Sequence, residues 1–184
     1  MRVRFALVLP VLFVASAPVA GEVPVAANAL PPGCDTFTWD VSTELAALQG
    51  PSTPIDAGRG GDDVVRIDIG TRYDARLHPQ AGVRLASRPG KPMLDDGAMA
   101  GLLTFGVPAD GRYRVSITTG HWIDVVDAGE VVASLDFQGR RGCPLVHKIV
   151  EFELRAGRDL VLQFAGGAAA EAGVVITPVA AAAR

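Results

Sequence analysis

Past residue 60, apolar and polar residues alternate along most of the chain. Tyr113, Val115 and Ile117 alternate with Arg112, Arg114, Ser116 and Thr118. Val146, Val150, Phe152 and Leu154 alternate with His147, Glu151 and Glu153, with Lys148 and Ile149 out of step. A period of two puts successive side chains on opposite faces of a strand, one dry and one wet. On this basis strands are expected at 64–69, 72–78, 101–107, 112–119, 122–126, 131–137, 146–154, 160–164 and 174–177, with a further short one at 81–85. Turn chemistry separates them, at Gly70, at PADG (108–111) and at DAGE (127–130). Residues 51–63, 87–97 and 166–173 read as loops, being rich in Gly with Pro and Asp or with Ala. One segment, 40–50, has a helical pattern. Asp40 can cap it, Val41, Leu45 and Leu48 share a face, and Gly50-Pro51 stops it. Its apolar stripe is expected to cover the edge or open end of a sheet.

Hairpins with one wet face bury the other by stacking sheet on sheet. The expected fold is therefore all-β: a two-sheet antiparallel β-sandwich, jelly-roll or immunoglobulin-like, with one short N-terminal helix. A closed barrel is the competing architecture.

The N-terminus follows a different pattern. Arg2 and Arg4 precede an uncharged run over 5–17, too short to span a bilayer as a helix and of the length found in export signals. Small residues follow, and cleavage after Ala20 is the expected outcome. An uncleaved anchor is the alternative. Residues 1–20 then form the signal, 21–33 a Pro- and Ala-rich flexible leader, 34–179 one sandwich domain and 180–184 a tail. Loss of Arg2 and Arg4 moves the formal charge from −3 to −5, which argues against a nucleic-acid partner. No later segment is long and apolar enough to span a membrane, so a periplasmic or secreted protein is expected. In such an oxidising compartment the two cysteines, Cys34 and Cys143, are most simply a disulfide. Two free thiols or half a metal site are the alternatives.

Several pieces between Cys34 and the C-terminus carry a resemblance. They are Cys34 itself, FTW at 37–39, the helix at Glu44, DGRYRVS at 110–116, WIDVV at 122–126, Cys143, His147-Lys148 and EFEL at 151–154. Together they resemble a group of small exported proteins of proteobacteria, some of which carry the label homogentisate 1,2-dioxygenase. The pattern GRYRVSI…WIDVV…FELRAGRDLVLQF also resembles the accessory β-sandwich modules of secreted hydrolases. Both resemblances imply a sandwich and an extracytoplasmic role, and neither implies a catalytic residue.

Direct tests of the chemistry agree with that. Ring-cleaving non-haem iron enzymes need two His and a carboxylate. The only histidines are His78, His121 and His147, and His147 and Glu151 would stand about 13 Å apart along a strand. Neither GxSxG nor a Walker motif occurs. A glycosidase carboxylate pair or a Ca²⁺ site among Asp124, Asp127, Asp136, Glu151 and Glu153 has no supporting spacing. No cofactor is expected. The most suggestive segment is HWIDVVD at 121–127. Strand alternation puts Trp122 and Asp124 on one face, where an exposed pair would make a sugar-stacking platform. A buried pair would make Trp122 a core anchor and give Asp124 a partner such as Arg112, Arg114 or Lys148. The candidate ligand-binding residues are thus Trp122, Asp124, His121 and His147. The expected function is non-enzymatic binding of a glycan, an envelope component or a protein partner. The alternatives are a metal-dependent enzyme, the dioxygenase label included, and a structural or assembly protein of the cell envelope.

Overall fold

A computed structural model describes residues 30–91, 96–139 and 142–180. The expected signal peptide, residues 21–29 of the leader and residues 181–184 of the tail lie outside the described residues.

Two open sheets make up the fold. The first has the order β1 (Ser52–Asp56), β3 (Arg72–Arg76), β12 (Glu171–Pro178), β6 (Gly111–Ile117), β10 (Lys148–Leu154) and β9 (Ser134–Gly139). The second has the order β2 (Val65–Arg66), β5 (Met99–Phe105), β11 (Leu160–Gly167), β7 (Trp122–Asp127) and β8 (Glu130–Val131), with β4 (His78–Pro79) also on β5. Leaving aside the edge strands β1, β2 and β9, most successive long strands pass from one sheet to the other. Numbering β3, β5, β6, β7, β8, β10, β11 and β12 as one to eight gives sheets in the order 1-8-3-6 and 2-7-4-5. That is the double Greek key of a jelly roll rather than the immunoglobulin order.

The alternation read from the sequence sets the faces. Tyr113, Val115 and Ile117 of β6, Val150, Phe152 and Leu154 of β10, and Val174 and Ile176 of β12 point inward. They meet Leu103 and Phe105 of β5, Ile123 and Val125 of β7, and Leu160, Leu162 and Phe164 of β11. The outer face of the first sheet is also covered. Helix α1 (Ser42–Gln49) lies against β12 and packs Val41, Leu45 and Leu48 on Val146, Ile149 and Val175. The disulfide Cys34–Cys143, 109 residues apart in sequence, closes this second core. Beneath the helix lies a buried ionic cluster. Arg114 donates from Nε to Glu151 (2.9 Å) and from Nη1 to Glu44 (3.3 Å) and to the Asp40 carbonyl (2.7 Å). Thr177 donates to Glu44 and Arg112 to Glu151, each at 3.1 Å. Each buried charge is thus paired and hydrogen-bonded, as the low-dielectric setting demands.

Several sequence expectations are corrected. The sheets are mixed, because β1 runs parallel to β3 and β2 parallel to β5. β1 and a 3-10 turn at Gly61–Asp63 lie where a loop was expected over 51–63. β1 is an exposed edge strand with Pro54 in it, so it has no alternation to read. The strand expected at 64–69 shrinks to β2, the one at 72–78 divides into β3 and β4, and 81–85 gives way to a 3-10 turn at Gln80–Gly82. The loop expected at 166–173 is mostly strand, since β11 runs to Gly167 and β12 begins at Glu171. The helix covers a sheet face instead of an edge. Its N-cap is Val41, and Asp40, one residue earlier, accepts from the Ser42 N–H at 3.0 Å. Among the described residues no helix is long and apolar enough to cross a membrane.

Candidate functional site

The strand expected at 131–137 breaks in two, and the break opens the sandwich. β8 pairs with β7 only at Val126 and Asp127, then the chain leaves the second sheet and joins the first as β9. Val132 N still donates to the Val125 carbonyl at 2.8 Å. From Ile123 back to Trp122, no strand among the described residues pairs with this edge of β7. The gap between that edge and β9–β10 is a cleft of about 370 Å³. Ile123, Val150 and Phe152 form its floor, and Val131, Val132 and Phe137 form its walls. Phe137 lies opposite Val150 in the ladder and so has the inward phase. With β8 so short, the second sheet does not cover it, and it is 66% exposed. Leu135, two residues earlier on the same edge strand, is 52% exposed.

Polar groups gather at the cleft's rim. Trp122 Nε1 donates to Asp124 Oδ1 at 2.9 Å, while Asp124 Oδ2 accepts from Gln163 Nε2 at 3.0 Å and Gly90 N at 3.3 Å. Asp124 is only 4% exposed, and these N–H groups replace its water. Gln163 also exchanges two hydrogen bonds with the Ser87 backbone, at 3.2 Å each, which pins the chain at 87–90 against β7 and β11. The absence of a side chain at Gly90 allows this approach, because a Cβ there would lie 3.2 Å from Asp124 Oδ1.

Two ammonium groups converge on the Trp122 indole. Lys148 Nζ lies 5.3 Å from the ring centroid and Lys91 Nζ lies 5.9 Å from it, within the range of a cation–π contact. Neither lysine forms an ion pair among the described residues. Burial in the cleft pushes the Lys148 ammonium down to about 8; Asp124 opposes the shift and Lys91 adds to it. Lys148 shares the phase of Val150, Phe152 and Leu154, so it projects from the inward face of β10, and Ile149 is in step on the helix side.

The four candidate residues are placed unequally. Trp122 and Asp124 form a bonded pair at the rim, with Trp122 half-buried. Of the three cations considered for Asp124, only Lys148 lies on this side of the sandwich, since Arg112 and Arg114 serve Glu151 and Glu44. His121 is wholly buried, its ring edge-on to Phe164 at 6.2 Å and stacked over Gly167, where any Cβ would collide with it. Its Nδ1 meets Thr119 Oγ1 at 2.8 Å. Desolvation, then the charge of Lys148, lowers its pKa to about 4, against a smaller opposing effect of the Gly167 backbone, so it is neutral at pH 7. His147 precedes β10 and turns toward Gly120. Glu151, four residues on, is committed to the arginines. Among the described residues no three His, Cys, Asp or Glu side chains are grouped to hold a metal ion.

Sequence reasoning missed Phe137, Val150 and Lys91 as parts of one site, and weighed Lys148 only as a partner for Asp124. Lys148 was the legible signal: a lysine at an inward position of a strand that is otherwise apolar on that face. The remaining residues converge only through the sheet-to-sheet crossing at Val132 and Ala133, which no local pattern announces. No family model matches the chain, and no curated protein matches it.

Proposed function

We propose that this protein is an exported binding module whose ligand sits in the cleft between β7 and β9–β10. The observation that carries the reading is the cleft's composition. An apolar floor and walls, including the exposed Phe137, meet a rim of placed polar groups at Trp122, Asp124 and Lys148. Sites for small ligands are mostly apolar concavities with a few such groups to fix orientation. Export is supported by the signal-like N-terminus and by the disulfide, which is stable in oxidising compartments. The ligand classes are a glycan, an envelope component or a segment of a partner protein.

The test is binding to glycan arrays and to envelope lipid and protein fractions, with two variants beside the native protein. Ser134→Trp fills the cleft from its exposed rim, and Trp122→Ala removes the indole. Binding that both variants lose, with circular dichroism unchanged, supports the reading. Binding that survives Ser134→Trp removes the cleft from it.

A second reading has its own observation. Among the described residues β9 is the last strand of the first sheet, and it exposes Leu135 and Phe137, the features of a strand that pairs with another chain. An envelope assembly protein would crosslink to a neighbour through β9 in intact cells, whereas a small-ligand binder would not.

A further inference from the structure

We infer that the cleft takes a compact anion with a flat apolar body, a carboxylate whose charge is held by Lys148 and Lys91 beside Trp122 and whose body lies on Ile123, Val150 and Phe137. This inference rests on the proposal that the cleft is a ligand site, and it names the class of ligand.

Charge is the first argument. Two ammonium groups face one indole, and Asp124 is the carboxylate that lines the cleft. Both of its oxygens are already occupied, Oδ1 by the Trp122 indole N–H and Oδ2 by Gln163 and Gly90. Asp124 therefore neutralises one positive charge at most and offers neither lysine an ion pair. A negative group arriving in the cleft supplies what is missing, and charge-assisted hydrogen bonds to an ammonium are the strong kind. A neutral sugar would leave Lys148, the partly buried one of the two, without an ion pair among the described residues.

Size and lining give the rest. At ~30 Å³ per water-sized group, a cavity of about 370 Å³ has room for about twelve such groups. Phe137 and Trp122 present aromatic surface, and Ile123, Val150 and Phe152 present branched or ring carbon. Flat rings stack well against such walls.

Lys148 is the group whose protonation sets the charge. Facing it are Asp124 from β7, His121 just before β7 and Lys91 beside the segment pinned by Gln163, while β9 contributes Phe137 and Ser134, which do not titrate. His121 is neutral above about pH 4, and Lys148 loses its charge as pH rises through about 8.

Calorimetric titration of the purified protein with 2-naphthoate and 2-naphthamide tests the inference, since the two probes share a ring system and differ in charge. Naphthoate is expected to bind about tenfold more tightly at pH 6.5. The preference should shrink above pH 8 and in Lys148→Met, and vanish in the double variant Lys148→Met with Lys91→Met. Decanoate, with the same charge on a flexible chain, should bind more weakly than naphthoate. Equal affinity for naphthoate and naphthamide, or a preference undiminished in Lys148→Met, overturns the anionic class while leaving the cleft as a ligand site. Decanoate binding as tightly as naphthoate overturns the flat body. If neither naphthyl probe binds, and Trp122 fluorescence in a Trp39→Phe background does not move, the inference and the cleft reading fail together.

Discussion

Replacing Lys148 with methionine should make this protein more stable. The ammonium sits in an apolar cleft where burial lowers its pKa from 10.5 to about 8. In the unfolded chain it titrates normally, so at pH 7 the folded state holds a charge that water would solvate better. Each tenfold loss of proton affinity is worth about 1.4 kcal/mol, which puts the cost of that charge at about 3 kcal/mol. The cation–π contact with Trp122, lost in the variant, offsets about 0.5–2 kcal/mol of this. Methionine keeps the unbranched stem and its packing. A net gain of about 1–3 kcal/mol is expected at pH 7, measured by urea denaturation at constant m. The pH dependence carries the sign. Between pH 8 and 10.5 the unfolded chain binds more protons at this residue than the folded one, so native stability should rise with pH across that window. The variant should lack that rise. A Lys148→Met protein less stable than the native one at pH 7, or one with the same slope between pH 8 and 10.5, refutes the reasoning. A stabilising loss of this kind marks a residue kept for binding at a cost in stability.

Other predictions concern the rest of the fold. His121 is neutral in the fold, with a pKa of about 4 against 6.5 when unfolded, so stability should be full above pH 6.5 and fall by about 3 kcal/mol as pH drops to 4. In His121→Gln that share of the acid sensitivity should be gone, and denaturation series at pH 7, 5.5 and 4 would show it. Replacing both cysteines with alanine should cost about 4–5 kcal/mol by the chain-entropy relation for a loop of 109 residues, less whatever the reduced chain retains in structure. Equal urea midpoints with and without reductant would contradict this. Arg114→Met strands Glu44 and Glu151 beneath the helix and should destabilise by about 3–5 kcal/mol, with Glu44→Gln in the same chain recovering part of the loss.

What the sequence made legible follows from where its alternation is strong. β6, β7 and β10 have one face in the main core and polar groups or a second core on the other, so a period of two stood out. β1 is exposed along most of its length, and the end of β11 and start of β12 are rich in Ala and Gly, so neither read as strand. The helix was read correctly as a short helix that buries Leu45 and Leu48. Its destination depended on the outer face of the first sheet also being apolar, through Ile149 and Val175, which single-strand patterns present as irregularities. The same holds for the site. Trp122 and Asp124 were recognisable as neighbours on one strand face, whereas Lys148, Lys91 and Phe137 come from three other segments and meet only in three dimensions.

The central claim is that the cleft beside Trp122 is where this protein binds. It is tested most directly by mapping the naphthoate titration onto the amide and indole signals of the ¹⁵N-labelled protein. The two tryptophans provide an internal comparison, because Trp39 stacks on Arg114 on the opposite side of the first sheet, its ring 4.5 Å from the guanidinium. The account predicts shifts at the Trp122 indole N–H and at Ile123, Ser134, Phe137 and Lys148, with the Trp39 indole unmoved. Shifts centred on Trp39 and the Arg114 cluster, or no shift at Trp122 at saturating probe, would contradict it.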